Sequence, residues 1–119
     1  MKNFKGRKKV KRGDIWIADL PAGKGHVLKG QHPVVVMSSN KTNRGSGIVT
    51  VVPLTSAVKP AMPCHVEISG FGLRKVSTAL AEQLTTIPKG CLHFWVGSLA
   101  GFGKMAELEQ AIQQQLEVA

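Results

Sequence analysis

The stretch from His32 to Ser56, HPVVVMSSNKTNRGSGIVTVVPLTS, restricts the possible folds more than any other part of the chain. Its two β-branched runs, Val34 to Met37 and Ile48 to Val52, are too short and too apolar for amphipathic helices, and they flank a polar segment of Ser, Asn, Lys, Thr, Arg and Gly. The pattern predicts two core strands joined by a flexible connection. A histidine precedes the first run and a Thr-Ser pair follows the second. Antiparallel pairing sets the start of one strand beside the end of the other, so His32 and Thr55 are expected to meet at one edge of the sheet.

A chain of 119 residues supports one packed domain. No apolar run approaches the roughly 20 residues that cross a bilayer. The opening MKNFKGRKK is not followed by an apolar segment, so it does not read as a secretory signal, and a cytoplasmic location is expected. Cys64 and Cys91 are too few for a disulfide framework. The net charge of +9 is uneven: residues 1 to 12 hold seven of the sixteen basic residues and no acidic one. Residues 1–11 therefore read as a flexible basic arm, either a contact for phosphate backbones or a solvated tail, and residues 12–119 as the single domain.

Within that domain, Ile15 to Leu20 is an expected first strand after the break at Arg12-Gly13-Asp14, and Pro21 ends it. Ala22 to Gln31, with three glycines and two lysines, reads as a mobile surface loop. Pro60 and Pro63 keep Ala57 to Pro63 out of any central strand. Cys64 to Ile68 is a further strand, Phe71 to Lys75 a basic turn, Thr78 to Thr86 one strand, Ile87 to Gly90 a turn or short helix, and Leu92 to Val96 another strand. Met105, Leu108, Ile112 and Leu116 recur at helical spacing, which predicts an amphipathic helix over Lys104 to Glu117. Short strands closed by one helix point to a mainly β (α+β) fold, a small, partly open β-barrel.

Six segments, in order, resemble the MazF/PemK family of toxin endoribonucleases: Arg12 to Trp16, Gly25-His26, Pro33 to Val36, Val52 to Ser56, His65 to Ile68, and Ala81 to Ile87. The resemblance implies an SH3-like barrel with a C-terminal helix, usually a homodimer, that cleaves single-stranded RNA without a metal and is silenced by a cognate antitoxin. It carries the family's catalytic threonine onto Thr55 and puts His32 where the family has an arginine. Gly25 matches the loop glycine and His26 a residue some members carry, while Val27-Leu28 replaces the Glu-Gln pair that usually follows. The departures leave an alternative open: a weakened or inactive module that binds nucleic acid or antitoxin.

Metal-free RNA cleavage needs a base for the 2′-OH, an acid for the 5′ oxygen and a donor to the charge developing on phosphorus. An imidazole exchanges protons where a guanidinium does not, so His32 is a workable substitute. Thr55 is read as a hydrogen-bond donor, because an unassisted hydroxyl is too weak an acid to be the base. Lys24, Gly25, His26, Lys29 and Ser56 are the expected RNA-binding residues, Ser56 on the opposite face if the strand continues. Trp16, Trp95 and the phenylalanines read as core rather than stacking platforms. Glu82, acidic within an apolar run, needs a partner. A zinc set from Cys64, His65, Cys91 and His93 is disfavoured, because neighbours on a strand point to opposite faces and no CxxC pair is present. No metal and no cofactor are expected, and both cysteines read as packing residues.

Overall fold

The apolar runs become strands covered on both faces, which is why they lack a polar side. In β1 (Asp14–Leu20), Ile15 faces one core while Trp16, Ala18 and Leu20 face another. In β2 (Gly30–Val36), Val35 joins the first core and Val34 and Val36 the second. β3 (Ile48–Thr55) repeats the division, with Val52 and Leu54 on one side and Val49 and Val51 on the other. The computed structural model describes residues 9–118, so the expected arm lies outside the described residues up to residue 8. Val10 is already buried in the second core. The folded body thus starts two residues inside the expected arm.

Four further strands, β4 (His65–Ile68), β5 (Ser77–Leu80), β6 (Thr85–Pro88) and β7 (Leu92–Ser98), complete an antiparallel sheet in the order β4-β5-β3-β2-β1-β7, with β6 also on β3. The sheet does not close, as a partly open barrel requires. The first core is completed by Val66, Ile68 and Ala79, together with Met105, Leu108 and Ala111 of the C-terminal helix; Ile87 and Leu92 complete the second. Among the described residues no helix is long and apolar enough to cross a membrane.

Several expectations need correction. The segment Thr78 to Thr86 is not one strand, because β3 uses a single edge for two partners. Its Leu54 and Thr55 pair with β5 and its Ile48 to Val51 pair with β6, and the two registers are offset by three residues. A three-residue 3-10 turn, Ala81–Gln83, fills the offset. Pro53 of β3 lies at this interruption, where a residue without an N–H weakens no ladder. The connection after β2 is also not simply flexible: it contains a helix, α1 (Asn40–Gly45), whose first turn is capped by the Ser39 hydroxyl accepting from the Thr42 N–H at 3.1 Å. The buried Asn43 side chain is held by Ser38, and its carbonyl accepts from the Lys89 ammonium.

The final helix, α2 (Gly103–Leu116), ends where Glu117 turns left-handed at φ 57°, and Leu116 is exposed rather than packed. Aromatic burial is likewise divided. Trp16 is core, but Phe94 and Trp95 are 62% and 41% exposed on β7, which ends the sheet order. Across the inner part of that strand runs the turn at Phe71-Gly72. Phe71 itself is left-handed at φ 55°, and its carbonyl sits against the Cα of Gly97.

Candidate active site

His32 owes its position to the proline after it. In β3 the Thr50 carbonyl accepts from the Met37 N–H of the adjoining chain at 2.8 Å, so by alternation the Val52 and Leu54 backbone groups also face β2. The register that pairs Val34 with Pro53, carried one residue further, sets Pro33 opposite Leu54 and then His32 opposite Thr55. Pro33 has no N–H to give. The orphaned Leu54 carbonyl is taken instead by the His32 ring, with Nδ1 3.2 Å away. A carbonyl can only accept, so Nδ1 carries the hydrogen and Nε2 keeps its lone pair. The half-buried imidazole is thereby oriented as a base with one free nitrogen.

Thr55 ends β3 at 5% exposure. Its Oγ1 accepts from the Ala57 N–H at 3.1 Å, which fixes the hydroxyl oxygen and leaves its proton available to an acceptor. The His32 ring thus lies against the carbonyl of Leu54, the residue before Thr55, at the end of the β2–β3 ladder. Ser56, next to Thr55, is exposed.

Lys24, Gly25, His26 and Lys29 are all exposed on the loop between β1 and β2. Gly25 takes φ 62°, a conformation that favours glycine, as the Val27 N–H closes a turn onto the Lys24 carbonyl at 3.3 Å. This loop is less free than its glycines suggest. Gln83 grips it with both ends of its amide: Oε1 accepts from the Leu28 N–H at 2.7 Å and Nε2 donates to the His26 carbonyl at 2.8 Å. Between the loop and the 3-10 turn lies a cleft of about 360 Å³, lined among others by Leu20, Gly23, Leu28, Pro53, Gln83 and Thr85. His32 and Thr55 do not line it. Gln83 falls within the family-like segment Ala81 to Ile87, and its signal in the sequence is a polar residue beside Glu82 in an apolar run. Gln83→Ala is expected to loosen the loop, measured as amide exchange at Leu28 about fivefold faster or more, since one lost hydrogen bond is worth about 1 kcal/mol.

A second cluster centres on Glu82, which also lines that cleft. The Cys64 thiol donates to Glu82 Oε1 at 3.4 Å, and His65 Nε2 pairs with Glu82 Oε2 at 2.8 Å. This is the partner that Glu82 was expected to need. The expectation that Cys64 and His65 diverge fails, because β4 begins only at His65 and Cys64 belongs to the turn before it. Burial, and then the hydrogen bond to the Glu82 carboxylate, push the Cys64 thiol above its ordinary pKa. Burial pushes Glu82 upward too, but the bonds from His65, its own backbone and Cys64 outweigh it and hold the carboxyl below its usual value. A thiol raised in this way is a poor nucleophile, in keeping with a packing role. Cys91 and His93 take no part in the cluster.

A half-open antiparallel barrel whose core is completed by one C-terminal helix, with His32 held at the end of the β2–β3 ladder and lysines exposed on the loop before β2, defines a small β-rich single-domain protein. The family model described as "PemK-like, MazF-like toxin of type II toxin-antitoxin system" matches residues 11–116, and the chain belongs to that family. It is 32% identical to endoribonuclease MazF9 of Mycobacterium tuberculosis over 92% of this chain and 98% of that one. It is 36% identical to endoribonuclease MazF of Staphylococcus saprophyticus over 90% and 91%. Among solved structures, MazF from Deinococcus radiodurans superposes with a TM-score of 0.80 at 19% identity, covering 94% of this chain and 100% of that one, and supports the fold. A mycobacterial endoribonuclease solved with its cognate antitoxin superposes with a TM-score of 0.76 at 22% identity over 92% and 97%.

Proposed function

We propose that this chain is the toxin of a type II toxin–antitoxin pair and cuts single-stranded RNA in the cytoplasm, with His32 and Thr55 as its reacting groups. The carrying observation is the His32 ring held by the Leu54 carbonyl through Nδ1 at 3.2 Å, one residue from Thr55. In this reading Nε2 removes the 2′-OH proton, and the 2′ oxygen attacks the adjacent phosphorus while the bond to the 5′ oxygen breaks and that oxygen takes a proton from water. Thr55 donates its hydroxyl proton to a phosphate oxygen as charge gathers there. The products are a 2′,3′-cyclic phosphate and a 5′-OH. Lys24 and Lys29 supply charge for the backbone, and Gly25, His26 and Ser56 line its approach.

The partners follow from the same reading: single-stranded RNA, an antitoxin, and a second copy of the chain, for which the exposed Phe94 and Trp95 on edge strand β7 are the supporting feature. Purified protein given single-stranded RNA in EDTA is expected to release fragments ending in cyclic phosphate. Intact RNA, or fragments ending in 3′-OH, would refute the reading.

The proline offers a finer test. Pro33→Ala returns an N–H to the ladder opposite Leu54, so the His32 ring loses its acceptor to the backbone. Cleavage is expected to fall about fivefold, the factor that corresponds to one hydrogen bond of roughly 1 kcal/mol, while thermal stability stays within about 1 kcal/mol of the parent. Single-turnover rates beside a melting curve check both halves.

A further inference from the structure

We infer that Cys64, His65 and Glu82 form a three-ligand site for a zinc-class divalent ion, a site independent of the ribonuclease reading. The Cys64 sulfur, a His65 ring nitrogen and a Glu82 carboxylate oxygen all lie within 4.8 Å of one another. Ligands around a tetrahedral zinc stand about 3.5 Å apart, given bonds of roughly 2.0–2.3 Å. The Cys64–Glu82 contact at 3.4 Å matches that scale, whereas the His65–Glu82 contact at 2.8 Å is shorter, so the ring and the carboxylate must move apart by under 1 Å to admit an ion.

The backbone holds the three residues in place without help from the ion. The His65 N–H donates to the Met62 carbonyl at 2.9 Å, and the Ala81 N–H donates to the Cys64 carbonyl at 3.0 Å. His65 pairs with Leu80 in the β4–β5 ladder, and the 3-10 turn then bends Glu82 back over both neighbours. The His65 side chain is 8% exposed and its buried Nδ1 has no hydrogen-bond partner, so Glu82 is the group that orients the ring. Glu82 keeps 28% of its side chain exposed, which gives an ion a way in and leaves room for a fourth, water ligand.

The donor set decides the chemical class. A thiolate with an imidazole selects zinc, cobalt or a similar borderline ion, whereas magnesium and calcium prefer oxygen throughout. On binding, the sulfur–metal bond replaces the S–H bond and that proton leaves to solvent, while the hydrogen that His65 Nε2 gives to Glu82 passes to the unpartnered Nδ1, so that Nε2 offers the ion its lone pair.

The experiment is titration of the full-length protein, purified with chelator and reductant, with zinc by calorimetry and with cobalt by absorption. One equivalent is expected to bind, with a thiolate-to-cobalt charge-transfer band in the near ultraviolet. Cys64→Ser should abolish the band, and Cys64→Ser, His65→Asn and Glu82→Gln should each weaken zinc at least tenfold, the lower end of what even an outer-shell substitution does to metal affinity. Cys91→Ser should change neither. Circular dichroism identifies any variant that fails to fold, and the remaining variants then decide. Absence of stoichiometric binding, a cobalt spectrum without the thiolate band, or a band lost in Cys91→Ser would each overturn the site.

Discussion

His32→Ala is expected to lower the single-turnover rate of RNA cleavage by about 10²–10⁴-fold, the usual worth of a positioned general base. The substitution removes the proton acceptor and also the ring that donates to the Leu54 carbonyl. His32→Gln separates the two roles. An amide can still donate to the carbonyl and spare the fold, yet it cannot take the 2′-OH proton, so its rate should fall nearly as far as that of alanine. His32→Arg restores a fixed charge and a planar fork for phosphate oxygens but no base. If His32→Ala and His32→Gln both cleave within threefold of the parent, the imidazole is not the base and the proposed chemistry falls.

The second large effect concerns stability. Gly97→Ala would drive a methyl group into the Phe71 carbonyl, and Gly72 is hemmed in reciprocally by the Val96 carbonyl. Both neighbours are backbone, and neither can swing aside as a side chain would. Overpacking of this kind is expected to cost about 3 kcal/mol or more, which for a domain of this size lowers the melting temperature by roughly 10–15 °C. Gly90→Ala is the matched control: nothing lies within 4 Å of its added carbon. Differential scanning calorimetry of the pair reads the difference. Equal melting temperatures would mean that the Phe71-Gly72 turn does not press on β7 in solution.

Much of the barrel could be read from residue order. β-branched runs gave the strands, helical spacing gave α2, and the antiparallel geometry of one hairpin was enough to bring His32 towards Thr55. What escaped was tertiary. Whether Thr78 to Thr86 is one strand or two depends on β3 holding two partners three residues out of step, which no local pattern reports. The convergence of Cys64 and His65 depended on a strand boundary falling between them, and boundaries are set by pairing rather than propensity. Phe94 and Trp95 look like core by composition, and only their place on an edge strand exposes them. The hold of His32 on Leu54 could have been deduced, since a proline whose nitrogen faces a paired neighbour leaves one acceptor there without its N–H, but only once the register was known.

The three-residue mismatch along β3 has a bearing on how this molecule could go wrong. A strand zipped to one neighbour can slide by two positions and keep its greasy side inward. Here a slide would have to be accepted simultaneously by β2, β5 and β6, and it would pull the Ala81–Gln83 turn taut. The spacer thus acts as a ratchet pawl, admitting a single alignment and denying the mispaired forms from which β-rich chains clump.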